Sequence, residues 1–310
     1  MSAPAWRRWR VAVGTALPLL LVWRLGTGPF LAGIRGLDPG LLALGLLIGV
    51  VVTTSCAWRW RLVARAVGIP LSLRAATSAC YRAQFLNTVL PGGVLGDVDR
   101  GLRHGGRVLD RARALRAVVW ERFSGQAVQV GVTVVLLAFL PSPLGTVAPT
   151  ILAGTVVLAV VAAVVAGVLG HRGPLRAEAV AVLGRRTLPG VVGSSLLATT
   201  GHVVTFVVAA REVGVVASTA VLVPLALLVL VAMAVPVGLG GWGPREGAAA
   251  WAFAAAGLDV GQGVAAAVVF GVLSLAAGLP GLVLLVGGRI TADRSRRRPA
   301  PAAGEVTGRG

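Results

Sequence analysis

Uncharged apolar stretches recur along this chain at a length that soluble folds seldom use. Gly40 to Cys56, Phe123 to Leu140, Thr150 to Leu169, Leu188 to Ala210, Thr219 to Val235 and Val264 to Val286 contain no Asp, Glu, Lys or Arg. A helix needs about 20 predominantly apolar residues to cross the hydrocarbon core, and these runs approach that length. Soluble domains carry roughly a quarter charged residues, whereas this chain has 13% charged and 56% hydrophobic residues and a mean hydropathy of +0.86. The expected class is therefore all-α: a polytopic helical membrane protein. Another apolar run, about Val11 to Val22, follows Trp6-Arg7-Arg8-Trp9-Arg10 and is read as a retained first span rather than a cleaved signal.

The formal net charge is +18, and all 29 basic residues are arginine. They cluster between the apolar runs, which is the pattern of cytoplasmic loops facing anionic headgroups rather than of nucleic-acid binding. The expected location is the cell membrane, a bacterial inner membrane, with the N-terminus cytoplasmic. Trp6 to Arg10 and Trp58-Arg59-Trp60-Arg61 are read as interfacial anchors on that side, with Cys56 near the inner interface. Without lysine there is no P-loop or Schiff-base chemistry. Cys56 and Cys80 are too few for a disulfide framework, and His104, His171 and His202 show no ligand spacing, so no metal or other cofactor is expected.

Between two of the apolar segments lies Leu90-Pro91-Gly92-Gly93-Val94-Leu95-Gly96-Asp97-Val98-Asp99-Arg100, and its skeleton returns in Pro236-Val237-Gly238-Leu239-Gly240-Gly241-Trp242-Gly243-Pro244-Arg245-Glu246. Both read P-x-G-x-x-G-x-x-x-R, offset by 145 positions. Applying that offset to the later apolar segments brings them roughly onto the earlier ones. Two half-repeats are expected, about 11–140 and 149–287, within a membrane domain 1–288 followed by a basic disordered tail, 289–310. Leu71 to Leu90 carries Arg74, Arg82, Gln84 and Asn87, and Ala248 to Leu258 is too short to cross, so both read as interrupted or re-entrant segments. Seven or eight transmembrane helices result. A cytoplasmic tail, with one interrupted element completing a crossing, satisfies the positive-inside rule.

Matching Gly/Pro-interrupted segments in two halves point to a transport site. Glycine permits positive φ and close approach, while a broken helix offers a fresh N-terminus to an anion. Arg100 and Arg245 add donor forks suited to phosphate. Asp97 lies three residues before Arg100 and can pair with it on a helix. The candidate lipid-headgroup site is Gly93, Gly96, Asp97 and Arg100 together with Gly241, Gly243, Arg245 and Glu246, with Glu121 and Arg122 as secondary members. The alternative is that the glycines serve helix packing and the charges sit in a wet loop. The basic run from Arg103 to Arg116 reads as a lipid-facing cytoplasmic surface. No catalytic set assembles: there is no nucleophile elbow, metal cluster or dinucleotide fingerprint.

Three stretches in order resemble the lysylphosphatidylglycerol synthase transmembrane, or flippase-like, domain family. Leu90-Pro91-Gly92-Gly93 with Gly96-Asp97 and Arg100 is similar to its "LPG…GGD..R" signature, Glu121-Arg122-Phe123-Ser124-Gly125 to "DR..G", and Pro236 with Gly241 to Gly247 to "P…GxGxREG". The resemblance covers roughly Val11 to Gly288. Leu95 stands where glycine is usual, Glu121 where aspartate is common, and Pro244 where a small apolar residue is typical. The resemblance implies handling of membrane lipid: moving aminoacylated phosphatidylglycerol, polyprenyl or other lipids between leaflets. Full-length synthases add a soluble domain after the membrane part, so transfer of an amino acid from tRNA is not expected of this chain alone.

The leading expectation is a lipid translocase or lipid-binding transporter for an anionic phospholipid, aminoacyl-lipid or polyprenyl lipid, not an enzyme. The second is a membrane subunit that docks a glycosyltransferase or lipid synthase. The third is an intramembrane lipid-phosphate enzyme with Asp97, Asp99 or Glu121 as base. The expected partner is membrane lipid, with such a synthase or glycosyltransferase in the second case, and not nucleic acid.

Overall fold

Asp38 starts the first described helix: its carboxylate accepts the Leu41 N–H at 2.7 Å, and Pro39 supplies a first helical residue that has no N–H to satisfy. The computed structural model describes residues 23, 27, 31, 38–90, 93–139, 174–234 and 242–297. The expected spans at 11–22 and 150–169, residues Pro91, Gly92 and 235–241, and the tail beyond 297 lie outside the described residues.

Nine helices and no strand are found among the described residues: α1 (Pro39–Ala66), α2 (Leu73–Val89), α3 (Leu95–Val108), α4 (Arg111–Phe139), α5 (Pro174–Val182), α6 (Leu188–Glu212), α7 (Thr219–Met233), α8 (Pro244–Ala255) and α9 (Val260–Arg297). Three are long and apolar enough to cross a membrane: Pro39–Ala66, Leu188–Glu212 and Val260–Gly287. The last helix continues past the apolar stretch into the basic tail as far as Arg297.

Apart from α5, the helices form two series of long, short, short and long elements: 28, 17, 14 and 29 residues in α1–α4, then 25, 15, 12 and 38 in α6–α9. The loops that close the first helix of each series are built alike. Gly68 adopts φ +82 after α1, and Gly214 adopts φ +83 after α6. The Ile69 N–H bonds to the Ala64 carbonyl at 2.8 Å, and the Val215 N–H bonds to the Ala210 carbonyl at 3.0 Å. Each is a Schellman closure, in which a left-handed glycine lets the chain satisfy its last carbonyls. Ser72 then caps α2 by accepting the Ala75 N–H, and Ser218 takes the corresponding position before α7 without a side-chain cap bond.

Each series has its own apolar core. One gathers Trp60, Val63, Ala76, Ala114 and Val118 of α1, α2 and α4, with Val182 and Val191 from α5 and α6. The other gathers Phe206, Leu225, Phe253 and Phe270 of α6–α9, joined by Leu41 of α1 and Leu137 of α4. The series meet where α1 lies on α6 and α9, and α2 lies on α9. Small residues make that approach possible: Gly49 faces Ala277, Gly201 faces Val52, and Gly281 sits against the Tyr81 carbonyl. Apolar side chains gain little from leaving lipid for one another, so close backbone packing of this kind drives association in a bilayer.

Candidate functional site

The helix α3 is amphipathic in the reverse sense of a water-soluble helix. Leu95, Val98 and Leu102, at i, i+3 and i+7, are exposed, whereas Asp97 and Arg100 on the other side are buried. The helix therefore turns Asp97 and Arg100 into the bundle and an apolar stripe outward, while Asp99 and Arg103 stand nearer its surface. Its start is built from the residues before the break. Gly93 takes φ +61. The Gly96 N–H donates to Asn87 Oδ1 at 2.8 Å, and Asn87 Nδ2 donates to Asp97 Oδ2 at 2.9 Å. A Cβ on Gly96 would run into the Ala83 backbone, so this glycine sets how closely α2 and α3 pack. The N-terminal amide that a ligand would have met is thus engaged by the chain itself.

A chain of alternating charges runs inward from this point. Arg122, half-exposed, pairs with Asp97, and Asp97 Oδ1 also receives Arg100 Nη2 at 2.9 Å. The same Arg100 Nη2 lies 2.5 Å from Glu121 Oε2, and the other oxygen of Glu121 receives Arg59 Nη2 at 2.6 Å and Arg59 Nε at 2.9 Å. Arg59 also donates to Ser195 Oγ of α6 at 3.2 Å. Glu121 is 1% exposed and Arg100 4% exposed, so the carboxylate is shared by two buried guanidinium groups from α1 and α3. A charge buried this deeply persists only with such partners. The expected i,i+3 pairing of Asp97 with Arg100 is present, but Glu121 is the hub.

Beside this chain lies a cleft of about 360 Å³ bounded by Trp60, Ser72, Arg74, Ser78, Arg82, Arg100, Arg103 and His104, with apolar wall from Leu71, Ala75 and Ala79. Arg82 and Arg103 share Asp99, at 3.2 and 2.8 Å. Arg74 stands exposed at the edge and has no carboxylate partner among the described residues. The Arg100 guanidinium lies 4.7 Å from the centre of the Trp60 ring. Four buried donors have no acceptor among the described residues: Nε–H of Arg61, and, on residues of the cleft, Nε–H of Arg100, Nε–H of Arg82 and the indole Nε1–H of Trp60. Buried donors are otherwise nearly always satisfied; the last three belong to residues that border the cleft, and the donor atoms themselves are closed off from it.

The second motif is organised differently. Gly243 adopts φ +96 at the start of α8, and its N–H donates to Glu246 Oε2 at 2.7 Å. The other oxygen, Glu246 Oε1, receives Arg245 Nη2 at 2.5 Å and Arg245 Nε at 3.0 Å. Trp242 covers the Arg245 guanidinium at 4.2 Å, Phe270 approaches to 5.9 Å, and Gly271 of α9 leaves room that a Cβ would fill. Arg245 is 1% and Glu246 0% exposed. Gly241 lies outside the described residues.

The structure thus brings Asp97, Arg100, Glu121 and Arg122 together, and holds Arg245, Glu246 and Gly243 in a separate cluster. Arg59 is a correction to the sequence reading. It is not an interfacial anchor but a buried member of the charge chain, and its neighbour Trp60 is buried as well. The available signal was its position on the stripe of Gly45, Gly49, Val52 and Val63, the face by which α1 packs. The basic run also divides: Arg103 lines the cleft, Arg111 and Arg113 are exposed, and Arg116 pairs with Glu178 of α5 at 2.8 Å. Among the described residues no three His, Cys, Asp or Glu side chains gather as ligands for a metal.

No curated protein and no solved structure matches the chain. The family model of the lysylphosphatidylglycerol synthase TM region matches residues 9–281, which takes in every helix described above except the end of α9. By that match, spanning both series and both motifs, the chain belongs to the lysylphosphatidylglycerol synthase TM region family.

Proposed function

We propose that the protein is a lipid translocase, or lipid-binding transporter, for a lipid with an anionic headgroup, and that it acts as a carrier rather than an enzyme. Arg100 engages the headgroup, while Asp97 and Glu121 hold it in place between loads. The observation that carries this reading is a buried guanidinium with an unused Nε–H at the wall of an arginine-lined cleft, in a chain of a membrane lipid family. Arg245, locked against Glu246 and under Trp242, serves this reading as the strut of the second break.

The proposed topology follows from lengths. At 1.5 Å per residue, α2, α3, α7 and α8 span about 26, 21, 22 and 18 Å, each short of the roughly 30 Å hydrocarbon core. Each short pair then forms one interrupted element of a half-repeat, within seven or eight crossings of the cell membrane. The N-terminus and the cleft face the cytoplasm in this arrangement, because Arg61 and Arg65 lie towards the C-terminal end of α1, beside the arginine-rich stretch that follows.

Reconstitution into vesicles with a fluorescent anionic lipid tests the reading. Wild-type protein is expected to accelerate leaflet exchange over empty vesicles, and Arg100→Gln and Arg74→Ala each to slow it at least tenfold. Arg74 is exposed and makes no ion pair among the described residues, so its loss reports on the cleft rather than on the buried charge chain. Equal rates in both variants overturn the site, and no acceleration by wild type overturns translocation.

A further inference from the structure

We infer that the cleft between α1, α2 and α3 selects a headgroup ending in a phosphomonoester, with two negative charges and no amine, and rejects an aminoacylated one. This rests on the lipid-binding reading and goes beyond it by naming the headgroup chemistry. The residues of the cleft and of the charge chain behind it set Arg59, Arg74, Arg82, Arg100, Arg103 and Arg122 against Asp97, Asp99 and Glu121. No carboxylate lines the cleft itself. Asp99 turns to Arg82 and Arg103, while Asp97 and Glu121 are enclosed by Arg100, Arg122 and Arg59. A lysyl or other ammonium-bearing headgroup would therefore meet four arginines and no carboxylate, with only the Ser72 and Ser78 hydroxyls and His104 as further polar groups.

Three of the cleft residues also carry a buried donor with no acceptor among the described residues. Arg100 Nε, Arg82 Nε and Trp60 Nε1 are donors only, and each still needs an acceptor. A terminal phosphate offers three oxygens and about two charges at neutral pH, and an Arg fork matches it in shape. A phosphodiester offers two free oxygens and one charge. Donor count and charge both favour the monoester. Two features point to a lipid rather than free phosphate: the outward face of α3 is the apolar stripe Leu95, Val98 and Leu102, and the cleft carries an apolar wall at Leu71, Ala75 and Ala79.

Native mass spectrometry of the full chain in detergent, with four probes at equal concentration, tests the inference. The probes are dioleoyl phosphatidic acid, dioleoyl phosphatidylglycerol, lysyl-phosphatidylglycerol and inorganic phosphate. Phosphatidic acid is expected to bind at least tenfold tighter than phosphatidylglycerol, and lysyl-phosphatidylglycerol more weakly than either. Trp60→Phe, which keeps an aromatic ring but removes the indole N–H, is expected to weaken phosphatidic acid about fivefold. Arg74→Gln with Arg103→Gln is expected to bring the ratio of phosphatidic acid to phosphatidylglycerol towards one. Lysyl-phosphatidylglycerol bound as tightly as phosphatidic acid overturns this inference and leaves the lipid reading standing, as does a ratio unchanged in the double variant. Inorganic phosphate that displaces phosphatidic acid at equal concentration makes the site one for the free anion, and overturns the lipid source. Absence of binding by every lipid overturns both readings.

Discussion

Arg100 and Arg245 occupy the same place in the same sequence skeleton, yet the bundle uses them differently. Arg245 is neutralised by its own neighbour in sequence, Glu246, and covered by Trp242 from the preceding turn, so its cluster is built almost entirely from one short segment. Arg100 draws on Glu121 of α4, which in turn holds Arg59 of α1, so its cluster ties three helices together. One arginine stabilises a turn; the other holds a junction that borders a cleft. The difference arises from what faces the motif. In the first series α4 presents a carboxylate and Gly125 makes room for the Arg59 guanidinium; in the second, α9 presents Phe270 and makes room for Arg245 with Gly271.

If Arg100 sits in a junction and Arg245 in a self-contained turn, removing the carboxylate should hurt the first more. Glu121→Gln leaves two buried guanidinium groups without their shared partner, and a cost at or above about 3–5 kcal/mol is expected. Unfolding of purified protein in detergent measures it, and Glu246→Gln, which strands one arginine, should cost less. A larger loss for Glu246→Gln would reverse the comparison. Next comes Gly96→Ala, whose methyl group meets the Ala83 backbone rather than a movable side chain. A loss of about 1–3 kcal/mol is expected from such overpacking, read in the same unfolding experiment, together with weaker binding at the cleft as α3 is pushed from α2. Gly125→Ala and Gly271→Ala each crowd a guanidinium. The expected losses are again roughly 1–3 kcal/mol, but only Gly125→Ala should also slow lipid exchange. The smallest effect is expected from Arg113→Ala, which breaks an exposed pair with Asp110. A change below about 1 kcal/mol is expected, and a larger one would mean that the surface arginines support the fold as the buried ones do.

Much of the fold was legible because apolar length is a one-dimensional property. The long runs at 40–56, 188–210 and 264–286 lie within α1, α6 and α9, and the short apolar stretch at 248–258 overlaps α8. The helix α3 was harder to read. Its composition is polar and glycine-rich, and its identity as a bundle element depends on which side of it meets Glu121. Residues 97, 100, 121 and 122 were chosen from the sequence and do converge. Arg59 was hidden because its partner lies 62 residues away and because tryptophan and arginine together imitate an interfacial anchor. The cleft was not legible at all: it exists only where the ends of α1 and α3 meet the start of α2. Similarly, the helix starts looked open to an anion in sequence, but Asn87 and Glu246 satisfy them.

The inverted faces of α3 bear on how the protein is made. During synthesis Arg100 emerges before Glu121, the carboxylate that neutralises it, and in the re-entrant placement proposed above a lone arginine within the hydrocarbon costs about 2.5–3.5 kcal/mol by insertion scales. The segment therefore has reason to wait at the membrane surface until α4 is in place, then dock with its charge already matched. Assembly order in this bundle is written into the distance between an arginine and the acid that comes after it.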